Sequence, residues 1–372
     1  MTQQIPSQPA QETLTPDLRR RLTAQLHGVS RVALVRIGAV VLSLLLVALV
    51  FWLAGYPLSD VAYGVWQGAV AAPGAWQSTL RWAMAYMVIG AGVIVALRAG
   101  FFNIGAQGQF YVGACAAVAV PLYWTGVPVF LVLVASIAAA MTAGALWALG
   151  PGWLRVRFGT DEVITTLMAN FLAILVLRWL TSGPLQDPAG SGESTSSRKI
   201  DDAFRISSGN GVSIWTVGIC AVSLVAVWLL LNRTSFGLLS GLTGRNPLMA
   251  RWLGVNVRSI GLLAFLVSGA LAGLYGAMEV TGSGGRVSSG FAPGLGFTAI
   301  LVAVVAGLSI VGLIFAALFF GALQAALLYL PIVTDVPPSS LDMLRGLVAL
   351  FVTASPFVLV LLLRGSVRGE RP

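Results

Sequence analysis

Charged residues are scarce in this chain of 372 residues, in which Asp, Glu, Lys and Arg together make up only 9% of the positions. A soluble domain carries about a quarter. Hydrophobic residues account for 57% of the chain, and the mean hydropathy is +0.89. The scarcity of charge excludes an ordinary soluble domain and indicates a chain that lies in lipid, so its function is a membrane function.

Lysine and histidine are nearly absent, and cysteine is rare. Lys199 is the only lysine and lies outside the G-x-x-x-x-G-K-[ST] pattern of a P-loop, so any nucleotide that drives this chain binds to another subunit. His27 is the only histidine, and Cys115 and Cys220 each lie in an apolar run, where a thiol is a small packing residue. This composition excludes a zinc or haem centre, a framework disulfide and a Ser–His or Cys–His catalytic pair. We therefore expect no cofactor and no catalytic residue.

Long apolar runs separated by short polar segments predict an all-α polytopic membrane protein. A membrane span needs about 20 apolar residues. The run from Phe297 to Leu330 would form a helix of about 50 Å, against about 30 Å of hydrocarbon, so we divide it near Gly307 and Gly312. The sequence then predicts about ten transmembrane helices, near residues 33–54, 79–97, 102–124, 128–149, 161–181, 213–231, 259–280, 297–308, 311–331 and 342–363.

The basic residues indicate how these spans are oriented. The chain has 22 Lys and Arg against 13 Asp and Glu, and most of the basic residues lie at the termini and in alternate loops, which is the pattern of the positive-inside rule rather than of nucleic-acid binding. Both termini carry arginines, so we expect both to be cytoplasmic, which requires an even number of spans. The predicted organisation is a cytoplasmic tail (1–30), a transmembrane domain (31–364) with an extracytoplasmic loop (182–212) and a cytoplasmic loop (232–258), and a cytoplasmic tail (365–372).

The cytoplasmic loop contains the amphipathic stretch GRNPLMARWLGVNV, from Gly244 to Val257. Asn246-Pro247 favours a turn followed by a helix, with Pro at an early helical position. Apolar side chains then alternate with basic ones, namely Leu248, Met249, Trp252 and Leu253 with Arg245 and Arg251. Such a helix either rests on the membrane surface or docks into a groove of a cytoplasmic partner.

Few polar residues lie at membrane depth, where polar groups are costly and face the protein interior or a water path. FNIGAQGQ (102–109) combines Asn103, Gln107 and Gln109 with two glycines, which predicts a broken or re-entrant start of a helix. GTDEVITTLMANF (159–171) places Thr166 and Asn170 on one helix face. These side chains either line a path or form hydrogen bonds between helices.

Further expectations concern helix ends and helix packing. We expect Thr160 to cap the helix that follows it and Glu279 to lie near the water interface. Gly269 with Gly273, and the ladder of small residues over 135–144, predict close packing of helices within the chain. A dimer seam is the alternative use of these small residues.

Two glycine-punctuated apolar runs resemble each other. Arg98–Val120 begins on the predicted cytoplasmic side, and Gly285–Val305 begins on the opposite side. This arrangement predicts an inverted repeat with a pathway between its halves.

The strings over 102–109, 159–171 and 244–257, followed by SGALAGLYGA (268–277), resemble the membrane-spanning permease subunits of bacterial ABC importers. The most similar group is the one for nucleosides and simple sugars, which is related to ribose and branched-chain amino-acid permeases. The resemblance covers roughly residues 80–364, in the family's order. It implies that 244–257 couples the chain to an ATPase, through Arg245, Asn246, Pro247, Ala250, Arg251 and Gly254.

The resemblance also implies a set of partners. Two permease subunits, identical or of two related types, would form the pathway in the cell membrane, surrounded by lipid. Two cytoplasmic ATPase subunits would dock on the loops, and an extracytoplasmic lipoprotein would deliver the substrate. The chain would then be a non-catalytic importer subunit that moves nucleosides or a related simple sugar by alternating access. We expect a weak polar path lined by Asn103, Gln107, Gln109, Thr166 and Asn170.

Three other interpretations stay open. Pentoses or branched-chain amino acids are alternative cargos, because specificity would lie in the separate binding protein. An ion-coupled secondary transporter belongs to a different class; it would need a coupling-ion site, and the absence of paired deep acids argues against it. A structural membrane protein without a substrate is the third, and the clustered polar strings argue against that one.

Overall fold

In the computed structural model of the chain, residues 48–188, 195–207 and 211–334 are described, together with positions 38, 41, 42, 45, 46 and 346. Tyr56–Pro338 forms one compact unit. Residues 1–55 and 339–372 form a second unit, in which residues 48–53 are helical. The predicted tails (1–30 and 365–372), the span 342–363 and most of the span 33–54 lie outside the described residues.

Every regular element of the described ranges is a helix, as the sequence predicts, and two isolated bridges are the only strand-like pairings there. The larger unit contains α1 (Leu58–Trp66), α2 (Ala75–Arg98), α3 (Ala106–Tyr123), α4 (Val129–Phe158), α5 (Glu162–Thr181), α6 (Ile214–Arg233), α7 (Ser235–Arg245), α8 (Pro247–Trp252), α9 (Val257–Glu279), α10 (Leu295–Val305) and α11 (Ile310–Val333). Single π-helical turns follow α1 and α9, and a 3₁₀ turn covers Asp202–Phe204.

Six of the described helices are long and apolar enough to cross a membrane: α2, α4, α5, α6, α9 with its π-helical turn, and α11. α3 and α10 coincide with two further predicted spans. However, α10 has only 11 residues, or about 16 Å, and α3 carries two glutamines in its first turn. α1 was not predicted, and its nine residues are too few for a span. The protein is thus a multi-pass membrane protein, and the count of ten spans stays a prediction.

Helix α2 lies at the centre of the larger unit. Every residue from Ala83 to Ala96 is buried, because α6, α9, α10 and α11 all pack around this helix. The outer helices α4, α5 and α6 leave most of their apolar surface exposed, as suits a surface in contact with lipid chains. Polar side chains on α3 and α9 are therefore shielded from lipid by protein.

Small residues bring α4 and α9 into close contact, as predicted for packing within the chain. The buried face of α4 includes Ser136, Ala140 and Gly144, and it lies against Gly269 and Gly273 of α9. A Cβ atom on Gly144 would approach the N and Cα atoms of Gly273 to 3.0 Å, in addition to meeting the Gly269 carbonyl. Glycine at these positions lets the two backbones touch, which is how helices associate without a hydrophobic driving force in lipid.

The predicted division of the long apolar run is confirmed. α10 ends at Val305 and α11 begins at Ile310, and the connection turns through Gly307 and Leu308, whose φ angles are +67° and +56°. Ser309 then caps α11 by accepting a hydrogen bond from the Gly312 N–H at 3.4 Å. Left-handed backbone here reverses the chain within four residues.

Several local features differ from the sequence prediction. Asp161, rather than Thr160, caps α5, since its carboxylate accepts from the Val163 N–H at 2.8 Å, a charge-assisted bond that also suits the helix dipole. α4 continues past residue 149 to Phe158, because Pro151 and Gly152 pack inside the bundle instead of ending the helix. The helix predicted within 244–257 is preceded by another, α7, which begins at Ser235.

The larger unit has two ends, which we call the short-helix end and the long-loop end. The short-helix end carries α7 and α8, and the end of α2 lies beside them, with a cavity lined by Arg98 and Arg245 between. The long-loop end carries residues 182–188, 195–207 and 211–213, where Gln186 pairs with Ser197 and Ser196 pairs with Ser288. These two ends are the candidate membrane faces.

Candidate functional site

The five predicted pathway residues come together around the start of α3. Asn103, Gln107 and Gln109 lie in or beside the first turn of α3, and Thr166 and Asn170 reach it from α5. All five side chains are buried, with exposed fractions of 3% or less. None of the five is ionisable, so they form a neutral polar cluster inside an apolar bundle.

Asn103 and Gln109 form a reciprocal amide pair. The Asn103 Nδ2 group donates to Gln109 Oε1 at 3.1 Å, and the Gln109 Nε2 group donates back to Asn103 Oδ1 at 2.9 Å. Asn103 Nδ2 also donates to Ser268 Oγ of α9 at 2.9 Å, and its Oδ1 accepts from the Gly105 N–H at 3.0 Å. The amide of Asn103 thereby uses two donors and two acceptors and joins α3 to α9.

Thr166 and Asn170 satisfy backbone groups that the non-helical segment 101–105 and the first turn of α3 leave open. Asn170 Nδ2 donates to the Ile104 carbonyl at 3.0 Å, and Asn170 Oδ1 accepts from the Gly108 N–H at 2.8 Å. Thr166 Oγ1 accepts from the Ile104 N–H at 3.3 Å. The shared face of α5 that the four-residue spacing predicted is therefore the face that stabilises the broken start of α3.

Gln107 connects α3 to the short helix α10. Its Nε2 group donates to the Ala292 carbonyl at 3.1 Å, and its Oε1 atom accepts from the Gly296 N–H at 2.6 Å. An N–H group in the first turn of a helix has no partner within that helix, so the Gln107 amide caps α10 from outside. The starts of the two runs predicted as an inverted repeat are thus in contact with each other.

A second polar cluster, which the sequence did not reveal, lies at the long-loop end. Glu279 was expected near water but is only 7% exposed, and it forms an ion pair with Arg81 of α2. Tyr275 and Ser283 both donate to the Glu279 carboxylate, at 3.1 Å and 2.9 Å. The spacing of four residues from Tyr275 to Glu279 and from Glu279 to Ser283 was the available signal, but the partner on α2 lies 198 residues away in sequence.

The loop that the sequence predicts to be extracytoplasmic contains a further group of ion pairs, in which Asp202 pairs with Lys199 and Arg205. A hydrogen bond from Arg205, together with one from Lys199, lowers the pKa of the Asp202 carboxyl. Arg205 also donates to the carbonyls of Gly282 and Ser283 at 3.2 Å each, which ties this loop to the turn after α9.

The six predicted coupling residues occupy the short-helix end. Asn246 caps α8 by accepting from the Met249 N–H at 2.9 Å, and Pro247 is its first residue. Arg245, the last residue of α7, and Arg251 are exposed, whereas Ala250 is fully buried. Gly254 has a φ of +78°, which lets the chain turn after α8.

The outward face of α8 is apolar and exposed. Leu248 and Trp252 lie four residues apart, on one helix face, and are 65% and 84% exposed. Met249 and Leu253 beside them are 52% and 63% exposed. An apolar patch at the end of a bundle, outside the spans, is typical of an interaction site.

Polar side chains at membrane depth commonly mark the pathways of membrane transport proteins, and this multi-pass bundle shields a cluster of them from lipid. Residues 76–353 match the family model described as "Branched-chain amino acid transport system / permease component". This match covers about three quarters of the chain, and the protein belongs to that permease family.

Individual relatives within the family indicate which kind of permease the chain resembles. The chain is 32% identical to the guanosine ABC transporter permease protein NupP of Bacillus subtilis over 87% of its own length and 93% of the relative. It is 33% identical to the glucose ABC transporter permease protein TsgB13 of Haloferax volcanii over 74% and 75%, respectively. It is 28% identical to the nucleoside ABC transporter permease protein NupB of Lactococcus lactis over 91% and 95%. The chain is therefore an ABC transporter permease of the nucleoside and sugar type.

Proposed function

We propose that this chain is the transmembrane subunit of an importer that moves nucleosides, or a related simple sugar, through the cell membrane by alternating access. ATP hydrolysis takes place on separate cytoplasmic subunits, and the chain has both termini in the cytoplasm. The observation that carries the proposal is the exposed apolar face of α8, because a family member without its own P-loop needs a surface on which an ATPase can act.

The docking step follows from the geometry of α8. Leu248 and Trp252 present a pair of anchors four residues apart, the pattern of a helix that lies in a partner's groove. Asn246 and Pro247 fix where α8 begins, and the buried Ala250 holds α8 against the bundle. A push on the exposed face is therefore transmitted to the spans α6 and α9, which α7 and α8 connect.

The neutral polar cluster suits a neutral, hydroxyl-rich cargo. The amides of Asn103, Gln107 and Gln109 and the groups of Thr166 and Asn170 bond to one another or to backbone in this conformation. We propose that a shift of α3 against α10 exposes them to the path, where cargo hydroxyls replace the internal hydrogen bonds. Such an exchange is nearly even in free energy, so the path binds cargo weakly and releases it readily.

Two further partners complete the importer. A second permease subunit, either another copy or a related chain, forms the other half of the pathway. A substrate-binding lipoprotein delivers cargo at the long-loop end, which we propose faces outward. Cargo choice then belongs largely to that lipoprotein, and pentoses and branched-chain amino acids are the alternative cargos.

Affinity purification from the native membrane, followed by mass spectrometry, tests the assembly. We expect an ATPase, a second permease and a lipoprotein to be recovered with the tagged chain. The lipoprotein can then be titrated with guanosine, other nucleosides and sugars. Recovery of the chain alone, in a detergent that preserves known complexes of this kind, would instead favour an ion-coupled secondary transporter.

Replacement of Asn246 by alanine tests the coupling role. Asn246→Ala removes the cap of α8, an effect of about 1 kcal/mol that falls on a helix of only six residues. We expect the reconstituted complex to keep hydrolysing ATP while uptake per ATP falls severalfold. Ser213→Ala is the control, because it removes a cap from α6, a helix of 20 residues, at the long-loop end and away from the segment 244–257. Uptake per ATP that is equal in both variants would contradict the coupling role.

A further inference from the structure

A cavity of about 460 Å³ opens at the short-helix end and is lined by four arginines. Arg155 and Arg157 come from the last turn of α4, Arg251 from α8 and Arg258 from the first turn of α9. The turn over 99–101 and the backbone of Gly244 complete the wall. The volume lies within the range of cavities that hold small ligands, about 300–1,000 Å³.

The positive charge of this cavity is largely uncompensated. Arg155 is fixed by an ion pair with Glu162 at 2.9 Å and by hydrogen bonds to the carbonyls of Gly159 and Thr160. Within the described ranges, Arg157, Arg251 and Arg258 form neither an ion pair nor a hydrogen bond with protein. Three free guanidinium groups around one cavity repel one another, so an anion bound among them would be stabilised.

The surroundings of the cavity indicate what kind of anion it takes. A stripe of exposed residues runs along the outside of α4 to Arg157, through Leu146, Gly150 and Trp153. These positions are spaced by three or four residues, so they lie on one helix face. Trp153 is 50% exposed and packs edge-on against the Phe158 ring, with centroids 5.3 Å apart. Aromatic side chains at this level are typical of the boundary between lipid and water.

We propose that the cavity binds the phosphate headgroup of an anionic phospholipid, whose acyl chain lies along the α4 stripe. The planar guanidinium groups of Arg157, Arg251 and Arg258 match phosphate oxygens, and Leu146 and Trp153 match the chain. A soluble phosphate would gain nothing from this apolar stripe. The site does not depend on which cargo the permease carries.

The lipid site and the docking face are on different sides of α8. Pro247 and Arg251 line the cavity, whereas Leu248 and Trp252 do not. A lipid in the cavity therefore contacts α8 on the side of Pro247 and Arg251 and leaves the apolar face of α8 free for the ATPase. The bound lipid stabilises the position of α8 against the ends of α4 and α9.

Native mass spectrometry of the detergent-solubilised full chain tests this site. Dioleoylphosphatidylglycerol is titrated as the anionic probe, with dioleoylphosphatidylcholine as the zwitterionic one and inorganic phosphate as competitor. We expect the unchanged chain to bind phosphatidylglycerol more tightly than phosphatidylcholine. In the variants Arg157→Gln and Arg258→Gln, the affinity for phosphatidylglycerol should fall about fivefold, which corresponds to about 1 kcal/mol per charge.

Arg233→Gln is the matched control. Like Arg157, Arg233 is an exposed arginine in the last turn of a helix at the short-helix end. Its guanidinium group lies 5.7 Å from the centre of the Trp228 ring, and that of Arg157 lies 5.6 Å from the centre of the Phe158 ring. Arg233 differs from Arg157 in that it lies outside the cavity. We expect its affinity for phosphatidylglycerol to equal that of the unchanged chain. Size-exclusion chromatography of each variant checks that it is folded.

Three results would overturn the proposal. An equal loss in Arg233→Gln would mean diffuse attraction to charge instead of a site. Displacement of phosphatidylglycerol by millimolar inorganic phosphate would assign the cavity to a soluble anion. Unchanged lipid affinity in Arg157→Gln and Arg258→Gln, together with weaker recovery of the ATPase, would assign the arginines to an acidic protein surface.

Discussion

Asn103 shows what a buried amide does in this protein. Its side chain makes four hydrogen bonds, to Gln109, Ser268 and the Gly105 backbone, and none of them reaches lipid. Removal of one partner from such a network leaves the other buried and unsatisfied, at a cost of about 1–3 kcal/mol. The same residues that we propose for the path are thus also required for the fold of α3.

A double-mutant cycle separates these contributions. We expect Asn103→Ala and Gln109→Ala each to lower the thermal midpoint of the purified chain, because each leaves an amide without its partner. The double variant should lose less free energy of unfolding than the two single variants lose together, and the difference should be about 1 kcal/mol. Asn103→Ala combined with Thr216→Ala, in the capping box of α6, is the control pair and should be additive. Additive behaviour in the first pair would contradict the reciprocal amide bond.

The sequence predicted which polar residues lie together, but not their hydrogen-bond partners in distant parts of the chain. Thr166 and Asn170 share a face because of their spacing, and the structure confirms that face. The partners of Gln107 lie more than 180 residues further along the chain, since Ala292 is 185 residues away. The ion pair of Arg81 with Glu279 was missed for the same reason, because periodicity reports only on neighbours within one helix.

At the scale of elements, α4 and α9 depend on a backbone contact. Gly144 lies against Gly269 and Gly273, and any side chain there would have to separate two helices that pack along much of their length. The contact is made by small residues over two turns, and it places α9 where Ser268 can accept from Asn103. The packing of α4 on α9 therefore also positions the polar cluster.

Two alanine substitutions on α4 test this packing. Gly144→Ala should destabilise the chain by about 1–3 kcal/mol, because its Cβ atom would meet backbone, which cannot rotate away. Gly150→Ala, on the exposed side of the same helix, has nothing within 4 Å of the new Cβ atom and should leave the stability unchanged or slightly raised. Thermal unfolding in detergent measures both, and equal midpoints for the two variants would disprove the close contact.

Element boundaries were predictable where local chemistry sets them. Gly307 marks the break between α10 and α11, and Asn246-Pro247 marks the start of α8, as the sequence indicated. The end of α4 was placed about nine residues too early, because hydropathy measures the thickness of lipid and the helix continues beyond it. Helix α7 was missed because its residues carry no strong apolar period.

At the scale of the whole molecule, orientation follows from the charge pattern and is open to a direct test. Cys115→Ala and Cys220→Ala first remove two buried thiols. A single cysteine is then placed at Lys199 in one variant and at Ser235 in another. We expect an impermeant maleimide to label Lys199→Cys in intact cells, because we propose that the long-loop end faces outward. Ser235→Cys should be labelled only after the membrane is opened. The reverse pattern would invert the orientation that we propose.

The shortness of α10 has a consequence for how the protein is made. Eleven residues extend about 16 Å, about half the hydrocarbon thickness, which is short for a segment that inserts into the bilayer without help from a neighbouring helix. We expect it to enter together with α11, as a hairpin turned at Gly307 and Leu308. The cap on its first turn comes from Gln107, which is synthesised much earlier. We therefore expect the biogenesis of this permease to be ordered, with α3 in place before α10 takes up its final position.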